Sequence, residues 1–126
     1  MAADRLEYIQ KQVGRIANAI GVPAEALPTF GVSEQSGRPH IEVTGALFHY
    51  VICEGGVELE RFSTPTVDDL MYRVFRGATF DMATLFETTH RTPGEDFHHQ
   101  ILSSQARLLD HLNPEWAIRL GLEHRE

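Results

Sequence analysis

Residues 38–62, RPHIEVTGALFHYVICEGGVELERF, constrain the fold most strongly, because strand-forming residues are interrupted there by glycines that permit chain reversal. Apolar and polar residues alternate from residue 40 to residue 44, which is the period of two that a half-buried strand shows. The pairs Thr44-Gly45 and Gly55-Gly56 each suit a two-residue turn, since glycine adopts positive φ at little steric cost. The segment is therefore predicted to form two consecutive β-hairpins.

The register of the strands follows if both turns contain two residues. Ile41 is then expected opposite Phe48, Ile52 opposite Leu59, and Tyr50 opposite Arg61. One face collects apolar side chains, which are Ile41, Val43, Phe48, Tyr50, Ile52, Val57 and Leu59. The other face collects ionisable side chains among Leu47, Val51 and Cys53, and these are His40, Glu42, His49, Glu58 and Glu60. A slip of one residue would exchange the faces.

The rest of the chain shows the spacing of three and four between apolar residues that indicates amphipathic helices. One helix is predicted over residues 4–20, and residues 24–28 suit a single helical turn. Thr66 is a helix cap and Gly77 the expected stop, so residues 66–91 form either one kinked helix or two short ones. Residues 92–95, TPGE, have the pattern of a helix start, and Pro114 begins the last helix.

These patterns together predict an α+β fold. Residues 29–34 are expected to add a first strand to the hairpins, in antiparallel pairing. The predicted architecture is an antiparallel sheet of three to four strands, with its hairpins at about residues 29–62, packed against four to five helices. The length of 126 residues favours a single domain over residues 1–126.

Composition narrows the classes of function. Cys53 is the one cysteine, so an internal disulfide is excluded and a reducing compartment is favoured. The first residues lack an apolar signal-peptide core and no run reaches the length of a membrane span, so we expect a cytoplasmic protein without membrane contact. A net charge of −7 argues against direct binding to nucleic acid and favours a basic partner.

Seven histidines prompt a search for metal-binding or catalytic patterns. The two ExxH pairs, Glu87 with His90 and Glu95 with His98, are separated by too few residues to lie on long facing helices, as a di-metal bundle requires. No nucleophile elbow, P-loop or dinucleotide fingerprint occurs. We therefore predict no catalytic residue, no metal and no cofactor, and a protein that is not an enzyme.

An alternative from another class is a small metal-binding protein or enzyme. It would use a set of histidines, which are His40, His49, His90, His98 and His99. A module that associates with other copies through an exposed strand edge is a third reading, and the oligomeric state stays open.

Two groups of ionisable side chains are candidates for contact with a partner. The first is the polar sheet face, and its members are His40, Glu42, His49, Glu58 and Glu60. The second is a polar junction between helices, made of Arg61, Arg73, Glu87, His90, Arg91 and Asp96. Such charges suit a basic partner, and they equally suit a solvated surface that discourages edge-to-edge aggregation.

Several segments, taken in order, resemble the immunity protein 63 family of bacterial polymorphic toxin systems. They extend over roughly residues 27–116 and are PHIEV, FHYVICEGGVELERFST, DDLMYRVFRGATFDMA, HRTPGEDF and QARLLDHLNPEW. The resemblance rests on their order and spacing, and none of them is a catalytic motif.

This resemblance implies a non-enzymatic antidote that is encoded beside a toxin and inhibits it by binding. It assigns no binding residue. The partner would be a cognate protein toxin, with nucleases among the basic proteins that an acidic antidote suits.

Overall fold

The computed structural model describes residues 2–124. Its elements, in chain order, are α1 (Ala2–Ile20), a short 3-10 helix (Ala24–Ala26), β1 (Thr29–Phe30), β2 (Ser36–Thr44), β3 (Leu47–Glu54), β4 (Val57–Thr64), α2 (Val67–Thr89), α3 (Phe97–Leu112) and α4 (Pro114–Glu123). The predicted α+β fold is confirmed, with four strands in one sheet beside four α-helices. None of these helices has both the length and the apolar character needed to span a bilayer.

The sheet has the order β1-β2-β3-β4, and its edge strand β1 departs from the prediction. Strands β2, β3 and β4 pair antiparallel as expected, but β1 pairs parallel to β2, with Thr29 beside His40. The chain turns back at Gly31, which has a φ of +84° and donates its N–H to the carbonyl oxygen of Ile41 at 2.8 Å. The expected strand over residues 29–34 is therefore cut to two residues, and the wholly antiparallel sheet is wrong at this edge.

The first hairpin is offset by two residues from the prediction. Thr44 pairs with Leu47, so Gly45 and Ala46 form the turn, and Ile41 lies opposite Tyr50 instead of Phe48. An offset of two residues leaves each side chain on its predicted face, because side chains alternate with a period of two. The predicted face is thus correct for both strands of this hairpin.

The second hairpin contains a β-bulge that the sequence analysis did not anticipate. Cys53 pairs with Glu58, whereas Ile52 pairs with Glu60, so Leu59 is an extra residue in β4. The predicted pairing of Ile52 with Leu59 is therefore wrong, and so is that of Tyr50 with Arg61. Beyond the bulge the faces of β4 are exchanged. Leu59 is 59% exposed, while the ring of Phe62 packs against the core.

The hydrophobic core lies between one sheet face and the helices. Helices α1 and α2 lie on that face, α3 packs on α2, and α4 packs on α3. Side chains at helical spacing supply the buried contacts, and the largest are Ile9, Val13, Leu70, Val74, Phe75, Leu109 and Leu120. Trp116 of α4 stacks on Phe75 with ring centroids 6.1 Å apart. Full burial of each such side chain contributes about 1.5–3 kcal/mol, so these contacts fix how the helices sit on the sheet.

Helix α2 is one continuous helix, which decides between the two arrangements left open for residues 66–91. Thr66 caps it as expected, its hydroxyl accepting a hydrogen bond from the Asp69 N–H at 3.3 Å. Gly77 was expected to end the helix and instead lies within it. A Cβ added at Gly77 would lie 2.8 Å from the Tyr50 hydroxyl oxygen, so glycine is needed there for close approach to β3.

The bulge in β4 predicts that two apolar residues of this strand, Leu59 and Phe62, contribute very differently to stability. We expect Leu59→Ala to change the free energy of unfolding by no more than about 0.5 kcal/mol, because the side chain is exposed. Phe62→Ala should cost about 1–3 kcal/mol, since the ring packs on the core but is only half-buried. Urea unfolding of both variants measures these losses of stability. A larger loss in Leu59→Ala than in Phe62→Ala would contradict the bulge.

Candidate functional site

Four of the predicted partner-binding residues form one network on the sheet face that the helices of residues 2–124 leave uncovered, here called the open face. The His40 Nε2 atom lies 2.6 Å from a carboxylate oxygen of Glu42. Arg61 joins Glu42, at 3.3 Å, to Glu58, at 2.8 Å. Residues three apart in a regular strand point to opposite faces. The bulge at Leu59 therefore brings Glu58 and Arg61 to the same side.

The network keeps its carboxylates ionised. The hydrogen bond with His40, aided by the charge of Arg61, holds the pKa of the Glu42 carboxyl below its ordinary value. Hydrogen bonding to the Arg61 guanidinium likewise lowers the pKa of Glu58, and that contact raises the pKa of Arg61. The open face thus presents two carboxylates held around one guanidinium at neutral pH.

Polar side chains shield the middle of the open face from solvent. Val51 has 0% exposure although no helix within residues 2–124 lies over it. Its cross-strand neighbours are His40 and Arg61, whose long or broad side chains flank it. The open face is therefore an ordered surface, in which an ion-pair network overlies a buried apolar residue.

His49 of β3 connects three strands, because its ring contacts side chains of β2 and β4. One ring nitrogen, Nε2, lies 2.5 Å from the Thr44 hydroxyl oxygen, and the other, Nδ1, lies 2.7 Å from the Ser63 hydroxyl oxygen. The side chain is only 7% exposed. Because both nitrogens are engaged, His49 has no lone pair free for a metal ion in this arrangement.

Glu60 lies on the other side of the sheet, so its predicted place on the polar face is wrong, and the bulge is the reason. It forms an ion pair with Arg73 of α2. The Arg73 guanidinium also lies over the rings of Tyr50 and Phe62, at 5.2 and 5.9 Å from their centroids. Glu60, Arg73 and Tyr50 border a cavity of about 550 Å³ between the sheet and α2, here called the helix-side cavity.

The predicted polar junction between the helices is dispersed over separate local contacts. Glu87 is buried and accepts a hydrogen bond from the Ser104 hydroxyl at 2.5 Å. The ring of His90 stacks on Phe86, with centroids 4.2 Å apart. Each of these contacts stabilises the end of α2 against its surroundings.

Two other members of that junction, Arg91 and Asp96, lie just before α3, whereas Arg61 lies on β4 and Arg73 on α2. The Arg91 guanidinium lies 4.5 Å from the ring centroid of Phe97. Asp96 caps α3, its carboxylate accepting hydrogen bonds from the backbone N–H groups of His98 and His99. Asp96 and Arg91 therefore hold the loop before α3 and do not join Glu87 in one ion cluster.

The histidines of the metal-binding alternative are also spread over the fold. His40 and His49 lie on the sheet, His90 ends α2, and His98 and His99 begin α3. Among residues 2–124, no three side chains of the His, Cys, Asp or Glu types come together as a metal ion would need.

Sequence reasoning missed the polar residues of the helix-side cavity. It placed Tyr50 in the core and did not single out Asp81 or Gln105, which line the cavity with it. An isolated glycine within a helical pattern often has a packing reason, and Gly77 was the signal for this one. Gly77 alone could not show which residue the helix approaches there, because Tyr50 is distant in sequence.

The Glu42 network gives a pH-dependent prediction. A carboxyl whose pKa is lowered by folding contributes stability above its unfolded pKa, and that stability is lost as the pH falls through its folded pKa. Glu42→Gln should therefore reduce the free energy of unfolding at pH 7, and the difference from wild type should narrow below about pH 4.5. Urea unfolding at pH 7, 5 and 4 measures it.

The control for this prediction is Glu54→Gln, which removes an exposed carboxylate at the end of β3. That variant should stay close to wild type at each pH. A Glu42→Gln deficit that is the same at pH 7 and pH 4 would contradict the role assigned to the network.

Comparison with known proteins places most of this chain in a recognised group. The family model described as "Immunity protein 63" matches residues 45–126, which include β3, β4 and helices α2 to α4. The match overlaps the segments that carried the resemblance in the sequence and begins at the turn after β2. It contains Glu58, Arg61 and every α2 residue of the helix-side cavity.

A second likeness is to an archaeal protein. The chain is 38% identical over 79 residues to small ribosomal subunit protein eS6 of Natronomonas pharaonis. The matched region is 60% of this chain and 58% of that protein, so the chain spans less than two thirds of that relative. No solved structure matches the chain.

Proposed function

Because the chain belongs to the immunity protein 63 family, we propose that it neutralises a cognate toxin by binding to it directly. The family match is the observation that carries this proposal, since it covers residues 45–126 and so includes Glu58 and Arg61 of the open face. An antidote of this kind needs no catalytic group, because occupying the toxin's functional surface is sufficient for inhibition. The toxin is proposed to be encoded by the neighbouring gene.

The open face is the surface that supports direct binding best. Its charges are held in place by the ion pairs of Glu42, Arg61 and Glu58, so a partner meets them already oriented. The net charge of −7 favours encounter with a basic protein. A stable complex usually buries about 1,200–2,000 Å² in total. One side of β4 is too small to supply this area, so the contact must extend beyond it.

Strand β4 is well placed for this, since it is the edge strand of the sheet. Val57 and Leu59 are each 59% exposed there, beside the charged residues of the open face. Apolar side chains ringed by polar ones are typical of the centre of protein interfaces. We propose that the toxin contacts β4 and the adjoining open face.

The likeness to a small ribosomal subunit protein does not supply a second function. The charge of −7 opposes binding to a polyanion such as ribosomal RNA, and the likeness covers 58% of that relative.

Co-expression with the product of the neighbouring gene tests the proposed function. We expect a one-to-one complex in size-exclusion chromatography and rescue of growth when the toxin is expressed, because the antidote acts by occupying the toxin. Expression of the toxin without the antidote is the control for toxicity. Separate elution of the two proteins together with no rescue of growth would overturn the proposal.

Charge reversal on the open face tests the proposed surface. Glu42→Lys or Glu58→Lys should weaken toxin binding by at least about tenfold, because like charges across an interface are repelled. Isothermal titration calorimetry measures the affinity, and circular dichroism confirms that each variant is folded. Asp110→Lys, an exposed position on α3, gives a matched change of charge away from the open face.

Equal affinity of Glu42→Lys, Glu58→Lys and Asp110→Lys would exclude the open face from the interface. In that outcome the antidote function could stand with a different contact surface, which growth rescue by the wild-type protein would show.

A further inference from the structure

The helix-side cavity has both charged side chains and nearly buried polar side chains in its walls. Its volume is about 550 Å³, and it lies between the sheet and the middle of α2, with the 3-10 helix, α3 and α4 contributing the remaining wall. The polar lining that matters for its chemistry consists of Tyr50, Glu60, Arg73, Arg76, Asp81 and Gln105.

The positive charges of the cavity are already neutralised by partners. Arg73 pairs with Glu60, and Arg76 pairs with Glu123 at 3.0 Å. Asp81 is an exposed residue of the cavity lining with no ion-pair or hydrogen-bond partner within residues 2–124, and desolvation of its carboxylate raises its pKa. The cavity therefore contains three carboxylates for two guanidinium groups, and the unmatched one is Asp81.

Two nearly buried side chains also face the cavity with unused hydrogen-bonding capacity. Tyr50 is 5% exposed, and its hydroxyl has no hydrogen-bond partner within the described residues. Gln105 is 3% exposed and donates from its amide nitrogen to the Arg76 carbonyl oxygen at 2.8 Å, which leaves its amide oxygen unpaired. Neither oxygen belongs to the buried polar atoms that are sealed from solvent without a partner, so a ligand that enters the cavity can reach both of them.

The Tyr50 hydroxyl is held in place by the packing of α2. It lies where a Cβ at position 77 would come within 2.8 Å, so the helix approaches the ring through Gly77. Burial raises the pKa of Tyr50 to about 12, and the negative charges of Glu60 and Asp81 act in the same direction. The hydroxyl is therefore protonated at neutral pH, and it lies in the negative electrostatic field of the Glu60 and Asp81 carboxylates.

The unused groups select one class of ligand. The Asp81 carboxylate and the Gln105 amide oxygen only accept hydrogen bonds, and the Tyr50 hydroxyl oxygen can accept as well. An anion would find each arginine already paired. Arg73 Nε lacks a hydrogen-bond partner, but its guanidinium lies over two aromatic rings, which leaves it in favourable surroundings. A cation with several N–H donors has the chemistry that matches acceptors of this kind.

We propose that the helix-side cavity receives the basic end of an arginine or lysine side chain from the partner protein, an inference that rests on the proposed function. The guanidinium or ammonium group donates to Asp81, Tyr50 and Gln105 and neutralises the unmatched carboxylate. A charge-assisted contact of this kind at the centre of an interface is a typical hot spot.

The position of the cavity suits a partner that also contacts the open face. Glu60 lines the cavity, while its neighbours in β4, Glu58 and Arg61, belong to the network on the other side. A protein that covers the edge of β4 can therefore place one basic side chain in the cavity and others against the open face.

The first arm of the test uses a small probe and does not need the toxin. Nα-acetyl-arginine methylamide is titrated into ¹⁵N-labelled protein, with the citrulline analogue as a neutral probe of the same shape. Saturable shifts of the amides of Tyr50, Gly77 and Asp81 are expected with the arginine probe. Asp81→Asn should weaken this binding by at least about tenfold, because a hydrogen bond to a charged group is lost. Asp110→Asn should leave it unchanged.

The second arm measures affinity for the product of the neighbouring gene. Asp81→Asn should bind it at least about tenfold more weakly than Asp110→Asn, and Tyr50→Phe should bind it more weakly than wild type. The phenylalanine variant keeps the ring that packs on the core and removes only the hydroxyl, so folding is preserved. Thermal melting confirms this for each variant.

The two arms separate failure of this inference from failure of the proposed function. If wild type binds the toxin and Asp81→Asn binds it equally well, the cavity inference is overturned and the antidote function stands. If wild type does not bind the toxin, the proposed function fails, and the arginine probe alone then tests whether the cavity binds a cation. Saturable arginine binding that Asp81→Asn weakens then supports a cation site, and equal shifts with the citrulline analogue overturn it.

Discussion

One extra residue in β4 determines how this molecule presents its charges. The bulge at Leu59 changes the direction of every side chain after it, because strand residues alternate between faces. Phe62 is thereby turned onto the core, and Glu60 is turned towards α2. Glu58 and Arg61 are brought to the same side and form an ion pair at 2.8 Å. Both candidate contact surfaces therefore meet along one edge strand.

Local chemistry was sufficient to predict the class of fold and most of its elements. Glycine at the reversals, the cap at Thr66 and apolar residues at steps of three and four act within a few neighbouring residues. The two hairpins and most of the helices were predicted for this reason, but the helix start expected at residues 92–95 is wrong, because α3 begins at Phe97 with Asp96 as its cap. The offset of the first turn did not disturb the faces, because it was two residues long.

The features that were missed depend on contacts between distant parts of the chain. The parallel pairing of β1 requires the chain to double back at Gly31, and the close approach of α2 to β3 brings Gly77 against the Tyr50 hydroxyl. The bulge likewise satisfies the packing of Phe62 and has no distinct local pattern. The same limit applies to the candidate sites. Glu42 and Glu58 were identified from alternation, whereas Asp81 and Gln105 come to line one cavity with Tyr50 only through tertiary packing.

The proposed docking of the toxin on the edge of β4 can be tested by hydrogen exchange measured by mass spectrometry. An edge strand leaves a row of backbone N–H groups without partners in the sheet, so a docked protein should slow their exchange strongly. The account predicts that the complex with the toxin shows protection across Val57–Thr64 and across residues 73–81 of α2. Protection confined to α3 and α4, with β4 exchanging as fast as in the free protein, would contradict it.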